Sequence, residues 1–361
     1  MSAAPLSSEP INSEPISSAP PPNWVASRHP LGWLINRLLA VQPLRWLLFQ
    51  QARRLIIRTA EGRGIAWRQR REALRQAAEP LLAQSTDPAV AIPDYYRVRF
   101  HAYDAGNLCW AAACEAEQAT DAMALRVWPE QPDLQPAAAQ RRLRRAIFAA
   151  IEPSLAGPVR RALDLGCSVG VGTVALRDWL LERQAEAGAA AAAGSMETEA
   201  IPQVEGLDLS AEMLAVARVR EAELRAAAQA AAPAASLAAP PAPITWRHGA
   251  AEATGLPSAA YDLITLQFVC HELPQAATQA VLAEAARLLR PGGVIALVDQ
   301  DPDSAVIRRL PAPVATLLKS TEPYLEDYFG LDLPEALRQA GFHAVRRAAA
   351  DPRHRVLVAS R

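Results

Sequence analysis

The stretch 161–176, RALDLGCSVGVGTVAL, leaves a chain few ways to fold. Ala162, Leu163 and Leu165 read as a short buried strand. Gly166, Gly170 and Gly172 follow. From 173 to 181 the apolar residues Val174, Leu176, Leu180 and Leu181 fall at helical spacing. Strand, glycine-rich turn and helix form the first unit of a doubly wound α/β sheet. Glycine carries no Cβ and tolerates positive φ, so the backbone turns tightly and approaches a ligand closely. The unpartnered N–H groups at the helix start favour an anionic group there. A dinucleotide fingerprint requires G-x-G-x-x-G. Counted from Gly166, its second and third glycine positions hold Ser168 and Val171, so that pattern fails. What stands is Asp164-x-Gly166-x-Ser168-x-Gly170.

Downstream, strands and helices alternate. Residues 204–210, VEGLDLS, read as a second strand ending in Asp208, with Ser210 placed as N-cap of a helix from 211 to about 228. Strands follow at 244–247, 261–269 and 294–299. A helix starts at 271–274 and continues over 278–289, and Arg-Pro-Gly-Gly at 290–293 breaks it. Two short strands, 342–348 and 355–360, close the chain as a hairpin. This alternation predicts a mostly parallel sheet.

The front of the chain differs. With 361 residues, 51% of them hydrophobic, there is enough for one large domain and an accessory region. Residues 1–23 are rich in Ser, Pro, Ala and Glu and read as a disordered leader without the basic and apolar runs of a secretory signal. Residues 24–150 read as a helical N-terminal cap ahead of a 151–361 domain. Over 24–75, Trp24, Trp33, Trp46 and Trp67 mix with Leu at helical spacing and a strong excess of Arg. Three readings stay open: a cap with a solvated basic face, a surface resting peripherally on an anionic membrane, or an RNA contact. No apolar run there is long enough to span a bilayer. Residues 80–93 read as a linker. The aromatic-dense stretch with Tyr95, Tyr96, Phe100, His101, Tyr103, Asn107 and Trp110 either lines a pocket or forms a helical core. Ala-rich tracts at about 184–201 and 228–243 read as disordered insertions. Net charge is −1, which gives no global argument for nucleic acid. The four cysteines show no paired spacing, so free thiols in a reducing, cytoplasmic setting are expected and no metal site is read from them.

Four segments, LDLGCSVGVGT, GLDLSAEMLAVAR, YDLITLQFVCHELP and RLLRPGGVIALVD, stand in an order and spacing similar to class I S-adenosylmethionine-dependent methyltransferases of the ubiquinone/menaquinone-biosynthesis (UbiE-like, methyltransferase type 11) kind. FHAYDAGNLCW and LLKSTEPYLEDYF resemble a cyanobacterial and plastid group of such enzymes. The resemblance spans roughly 163–361. It implies a Rossmann-like sheet of seven strands, the last antiparallel, and S-adenosyl-L-methionine as cofactor. It places Asp164, Gly166, Ser168 and Gly170 beside the methionyl part of the cofactor and Asp208 on both ribose hydroxyls. A carboxylate suits that role because it accepts two parallel hydrogen bonds. Leu209 and Met213 either flank the adenine or pack as ordinary core.

The sequence also departs from the family. Ser168 replaces the middle glycine. Ala250 stands where the family often has an Asp for the adenine amino group, so that contact falls to Ala251 or Glu252. Gln267 is a further cofactor candidate at the end of strand four. Asn/Asp-Pro-Pro-Tyr, the mark of amine-methylating relatives, is replaced by Gln267-Phe-Val-Cys270, which favours a small molecule methylated at oxygen or carbon. The Trp/Leu/Arg-rich front end suits an apolar acceptor such as a quinone or prenyl-lipid precursor. His271 is a candidate base with Glu272 orienting it, or else a structural helix-start pair; Tyr103, Asp299 and Tyr324 are weaker pocket candidates. Rival readings are a nicotinamide-dependent oxidoreductase and a non-catalytic protein that keeps the fold. Oligomeric state has no signal in the sequence.

Overall fold

The computed structural model describes residues 30–101, 103–191, 200–231 and 242–361. The expected leader, and the middles of both Ala-rich tracts, lie outside these residues. Seven strands form one sheet: β1 (Arg161–Leu165), β2 (Gln203–Asp208), β3 (Thr245–His248), β4 (Tyr261–Gln267), β5 (Leu289–Gln300), β6 (His343–Ala349) and β7 (His354–Ser360). Their order is β3-β2-β1-β4-β5-β7-β6. Neighbours from β3 to β5 pair in parallel, and β7 runs antiparallel to both β5 and β6. This is the doubly wound fold expected, with its strand-order reversal between β1 and β4.

Period-two burial explains the two cores. Leu163, Leu165, Ile264, Leu266, Ile295 and Leu297 face one side, and Ala162, Leu263, Val294, Ala296 and Val298 face the other. The N-terminal helices are α1 (Pro30–Leu39), α2 (Gln42–Glu61), α3 (Trp67–Ala78), α4 (Trp110–Val127) and α5 (Pro136–Ile151). Ile57 of α2, Leu125 of α4 and Leu143, Ile147 and Ile151 of α5 join the second core. Between the strands come α6 (Val171–Ala191), α7 (Ala211–Ala231) and α8 (Gln275–Leu288), and α9 (Ala312–Thr321) follows β5.

Several local expectations need correction. Helices α6 and α7 run well into the Ala-rich tracts, to Ala191 and Ala231, because alanine is the best helix former. The supposed linker at 80–93 begins as helical turns, Glu79–Leu81 and Leu82–Ser85, docked on α7 by Arg218 Nε donating to Ser85 Oγ at 3.1 Å. Strand β4 stops at Gln267, since Phe268 takes φ +63 and leaves the pleat. His271 lies in a 3-10 turn, Cys270–Glu272, and Pro274 separates that turn from α8. The Arg-Pro-Gly-Gly stretch belongs to β5: pairing passes from Tyr261–Leu289 to Leu263–Val294, so those residues form a bulge within the strand.

Candidate active site

A cavity of about 470 Å³ opens where β1, β2 and β4 end, under the N-terminal helices. This is the carboxyl edge of the sheet at its switch point, where doubly wound folds hold ligands. The glycine turn forms one wall. Gly166 and Gly170 sit at φ +71 and +74, and Ser168 between them takes φ +49. A Cβ on Gly166 would meet Val269 Cγ2 at 2.7 Å, and one on Gly170 would meet the Trp246 ring at 2.4 Å. Both positions therefore need glycine on conformational and steric grounds. The turn is tied to β2: Gly166 and Cys167 N–H both donate to Leu207 O, at 2.8 and 3.0 Å. Val171 and Gly172, at the start of α6, also line the cavity, where the first helical N–H groups lack intrahelical acceptors.

Asp208 ends β2 and is buried. Its Oδ2 accepts from Ser168 N–H at 2.7 Å and its Oδ1 from Ser210 N–H at 2.9 Å. Burial pushes the carboxyl up to about 6, and the two N–H donors pull the other way. Ser210 caps α7 as expected, its Oγ accepting from Met213 N–H at 3.2 Å. Leu209 and Met213 are buried residues that line the cavity, so they are wall and core at once. Ala251 and Glu252 line it too, and Glu252 accepts a short hydrogen bond from the Tyr95 hydroxyl.

Asp164 lines the cavity and also braces it from behind. It is buried and accepts from Thr265 Oγ1 at 2.6 Å, Thr173 Oγ1 at 2.7 Å and Gln267 Nε2 at 3.3 Å. It thus fastens β1, α6 and β4 behind the turn. Gln267 in turn accepts from Arg144 Nη1 at 2.6 Å.

Across the cavity, His271 donates from its backbone N–H to Asp299 Oδ2 at 3.0 Å, and its Nδ1 lies 2.8 Å from Asp299 Oδ1. Burial pulls the imidazole down, but Asp299, Glu322 and Glu272 outweigh it and push it up to about 10. Those carboxylates favour the protonated imidazole, which weighs against His271 as a free base near neutral pH. Nor does Glu272 orient it: Asp299 does, while Glu272 accepts from Asn107 Nδ2 at 2.8 Å and faces His101 Nε2 at 3.5 Å. Burial also raises the Glu272 carboxyl, with the two histidines opposing.

Residues 163–297 match the Methyltransf_11 family, described as a methyltransferase domain. Over those residues the chain is similar to a methyltransferase domain. Over 103 residues it is 32% identical to an uncharacterized methyltransferase of Synechocystis sp., covering 28% of this chain and 48% of that one. The chain thus spans about half the length of that curated relative. Among solved structures, human N-acetylserotonin methyltransferase in complex with SAM is similar at 15% identity and TM-score 0.43, over 79% of this chain and 66% of that one. A SAM-dependent methyltransferase from Aquifex aeolicus is similar at 16% identity and TM-score 0.42, over 65% and 97%. Likenesses at this level say nothing of substrate.

In front of the matched region, the aromatic stretch proves to be both of its expected alternatives. Tyr95, Tyr96, His101, Tyr103 and Asn107 line the cavity, while Phe100 is core. Arg144 and Glu322 are among the cavity residues that escaped the sequence reading. Arg144 of α5 is buried beneath the turn, forms no ion pair among the described residues, and is drawn down to about 10 by burial. Its neighbours Arg141, Arg142 and Arg145 are exposed. Yet its i, i+3 and i+4 relation to Gln140, Ile147 and Phe148 places it on the buried side, which was readable. Glu322 is buried and lines the cavity as well. It lies inside LLKSTEPYLEDYF, where nothing local marks it.

Proposed function

We propose that this chain transfers a methyl group from S-adenosyl-L-methionine to an oxygen or carbon of a small, apolar acceptor, a quinone or prenyl-lipid precursor being the class that fits best. The observation that carries the cofactor part is the buried Asp208 carboxylate, pinned by two backbone N–H groups against a positive-φ glycine turn at the cavity wall. Each oxygen keeps acceptor capacity for a ribose hydroxyl. Arg144 and the start of α6 supply positive charge for the cofactor carboxylate. Leu209, Met213 and Ala251 offer apolar surface for the adenine.

The sulfonium methyl is already activated. S-adenosyl-L-methionine, held by Asp208 and the glycine turn, would supply that methyl as a cation equivalent, and a protonated acceptor would release its proton in exchange. The chain's work is in-line positioning and exclusion of water. The aromatic residues from Tyr95 to Tyr103 provide that apolar cover.

The acceptor class draws support from the front of the molecule. Trp33, Leu34, Leu38, Val41, Trp46, Leu47 and Leu55 of the α1–α2 segment are exposed, with Trp46 at 61%. Arg37, Arg54 and Arg58 stand exposed among them. That pairing of apolar and basic groups fits peripheral contact with an anionic membrane. Among the described residues no helix is long and apolar enough to cross one.

Calorimetric titration of S-adenosylhomocysteine into the full-length protein tests the cofactor assignment. Micromolar binding is expected, weakened about a hundredfold in Asp208→Ala, the worth of two hydrogen bonds to a charged group. No binding to the folded wild type would overturn it and favour a non-catalytic role for the fold.

A further inference from the structure

Three stretches far apart in sequence place chemically matched side chains at one point. His101, in the loop before α4, is held at φ +49, and its backbone N–H donates to Thr321 O at 3.0 Å. That bond brings its Nε2 to 2.9 Å from Glu322 Oε1 and 3.5 Å from Glu272 Oε1. His271 Nε2 lies 4.0 Å from Glu322 Oε2. Donor atoms of His101, His271 and Glu272 all fall within 4.8 Å of one another. We propose that His101 Nε2, His271 Nε2, Glu272 and Glu322 form a binding site for a divalent transition-metal ion of the zinc type.

The surrounding groups fit that assignment. Asp299 takes the Nδ1 side of His271, which holds the ring in place and turns Nε2 toward the cluster, where a metal would displace its proton. His101 Nδ1 lies 3.4 Å from Asn107 Oδ1, so its Nε2 is likewise the inward atom. Asn107 Nδ2 also donates to Glu272, orienting that carboxylate from behind. Glu322 is only 6% exposed, and its Oε2 has no hydrogen-bond partner, although it points at the cluster. An unpartnered buried carboxylate oxygen is costly, and a cation beside it removes that cost. Ligand atoms bound at about 2.0–2.2 Å in a tetrahedron stand roughly 3.3–3.6 Å apart, so atoms now 2.9 Å to within 4.8 Å of one another need shifts of up to about 1.5 Å to enclose an ion. Two imidazoles with two carboxylates suit Zn²⁺ and the neighbouring first-row ions better than Mg²⁺ or Ca²⁺. The same cavity holds Asp208 and Ser168, so the ion would sit beside the cofactor site.

This goes beyond the methyl-transfer reading and is tested apart from it. Full-length protein is stripped with chelator and titrated with Co²⁺ as a spectroscopic stand-in, then with competing Zn²⁺. One equivalent is expected at micromolar or tighter affinity, with the intense visible bands of a low-coordinate Co²⁺ centre. His101→Ala and Glu322→Gln should each weaken binding at least tenfold, while S-adenosylhomocysteine binding persists. Asp299→Asn should weaken it about tenfold by loosening His271. Absence of stoichiometric uptake by the wild type would overturn the site. So would equal uptake by the wild type and His101→Ala. That position is exposed, so its substitution does not threaten the fold.

Discussion

Gly170 takes φ +74, and a Cβ there would press on the Trp246 ring. Gly170→Ala should therefore cost about 2–4 kcal/mol in urea unfolding, combining backbone strain with overpacking. Gly157→Ala, with nothing within 4 Å and no positive φ, should change little. Ser168 shows how such a turn admits a side chain: its φ of +49 is the conformation the missing glycine would have supplied, and its Oγ rests 3.4 Å from Met213 Sδ. Asp208 gives a pH signature. Burial raises its carboxyl to about 6, above the unfolded value, so the unliganded protein loses stability as pH rises from about 4 to 6. Ribose hydroxyls donate to the ionised form. S-adenosylhomocysteine affinity should thus be flat above pH 6 and fall up to tenfold per unit below it. An affinity unchanged down to pH 5 would mean that Asp208 does not bind the ligand as a carboxylate.

Between elements, one buried carboxylate does much of the joining. Glu115 of α4 is 1% exposed, pairs with Arg53 of α2 and with Arg71 of α3 at 3.1 Å, and accepts from Tyr103 at 2.6 Å. Glu115→Gln should lower stability by about 1–3 kcal/mol, the modest range reflecting the partial exposure of both arginines. Limited proteolysis should then cut α2 before the sheet domain. Equal protease resistance would show that apolar packing of Ile57 alone holds α2 down. Elements were legible where periodicity was strong. All seven strands lie where the pattern put them, and Ser210 marks its helix start. Boundaries were not legible where a neighbour decides them. The bulge in β5 depends on Gly292 N–H and Gly293 O pairing with Arg361. The turn at Cys270–Glu272 depends on Asp299, on another strand.

For the molecule as a whole, the exposed apolar and basic face of α1 and α2 predicts partition onto anionic vesicles. Trp33→Ala with Trp46→Ala should reduce cosedimentation about tenfold or more, given the apolar area each ring presents. Thermal stability should hold, because both rings stand mostly in solvent. Wild-type protein left in the supernatant would remove the membrane contact and weaken the case for an apolar lipid-like acceptor.

The glycine-turn wall of the cavity was readable because it is local. A glycine turn, an acidic strand end and a helix cap each need particular residues within a few positions, so Asp208 and the Gly166–Gly170 turn announce themselves. The opposite wall was not. Asp299 in place of Glu272 as the partner of His271, Arg144 beneath the turn, and the meeting of His101 with Glu322 all join segments tens to hundreds of residues apart. Their chemistry depends on burial and on charges arriving from other elements. The raised proton affinity of His271 is a product of that packing, which no spacing along the chain encodes.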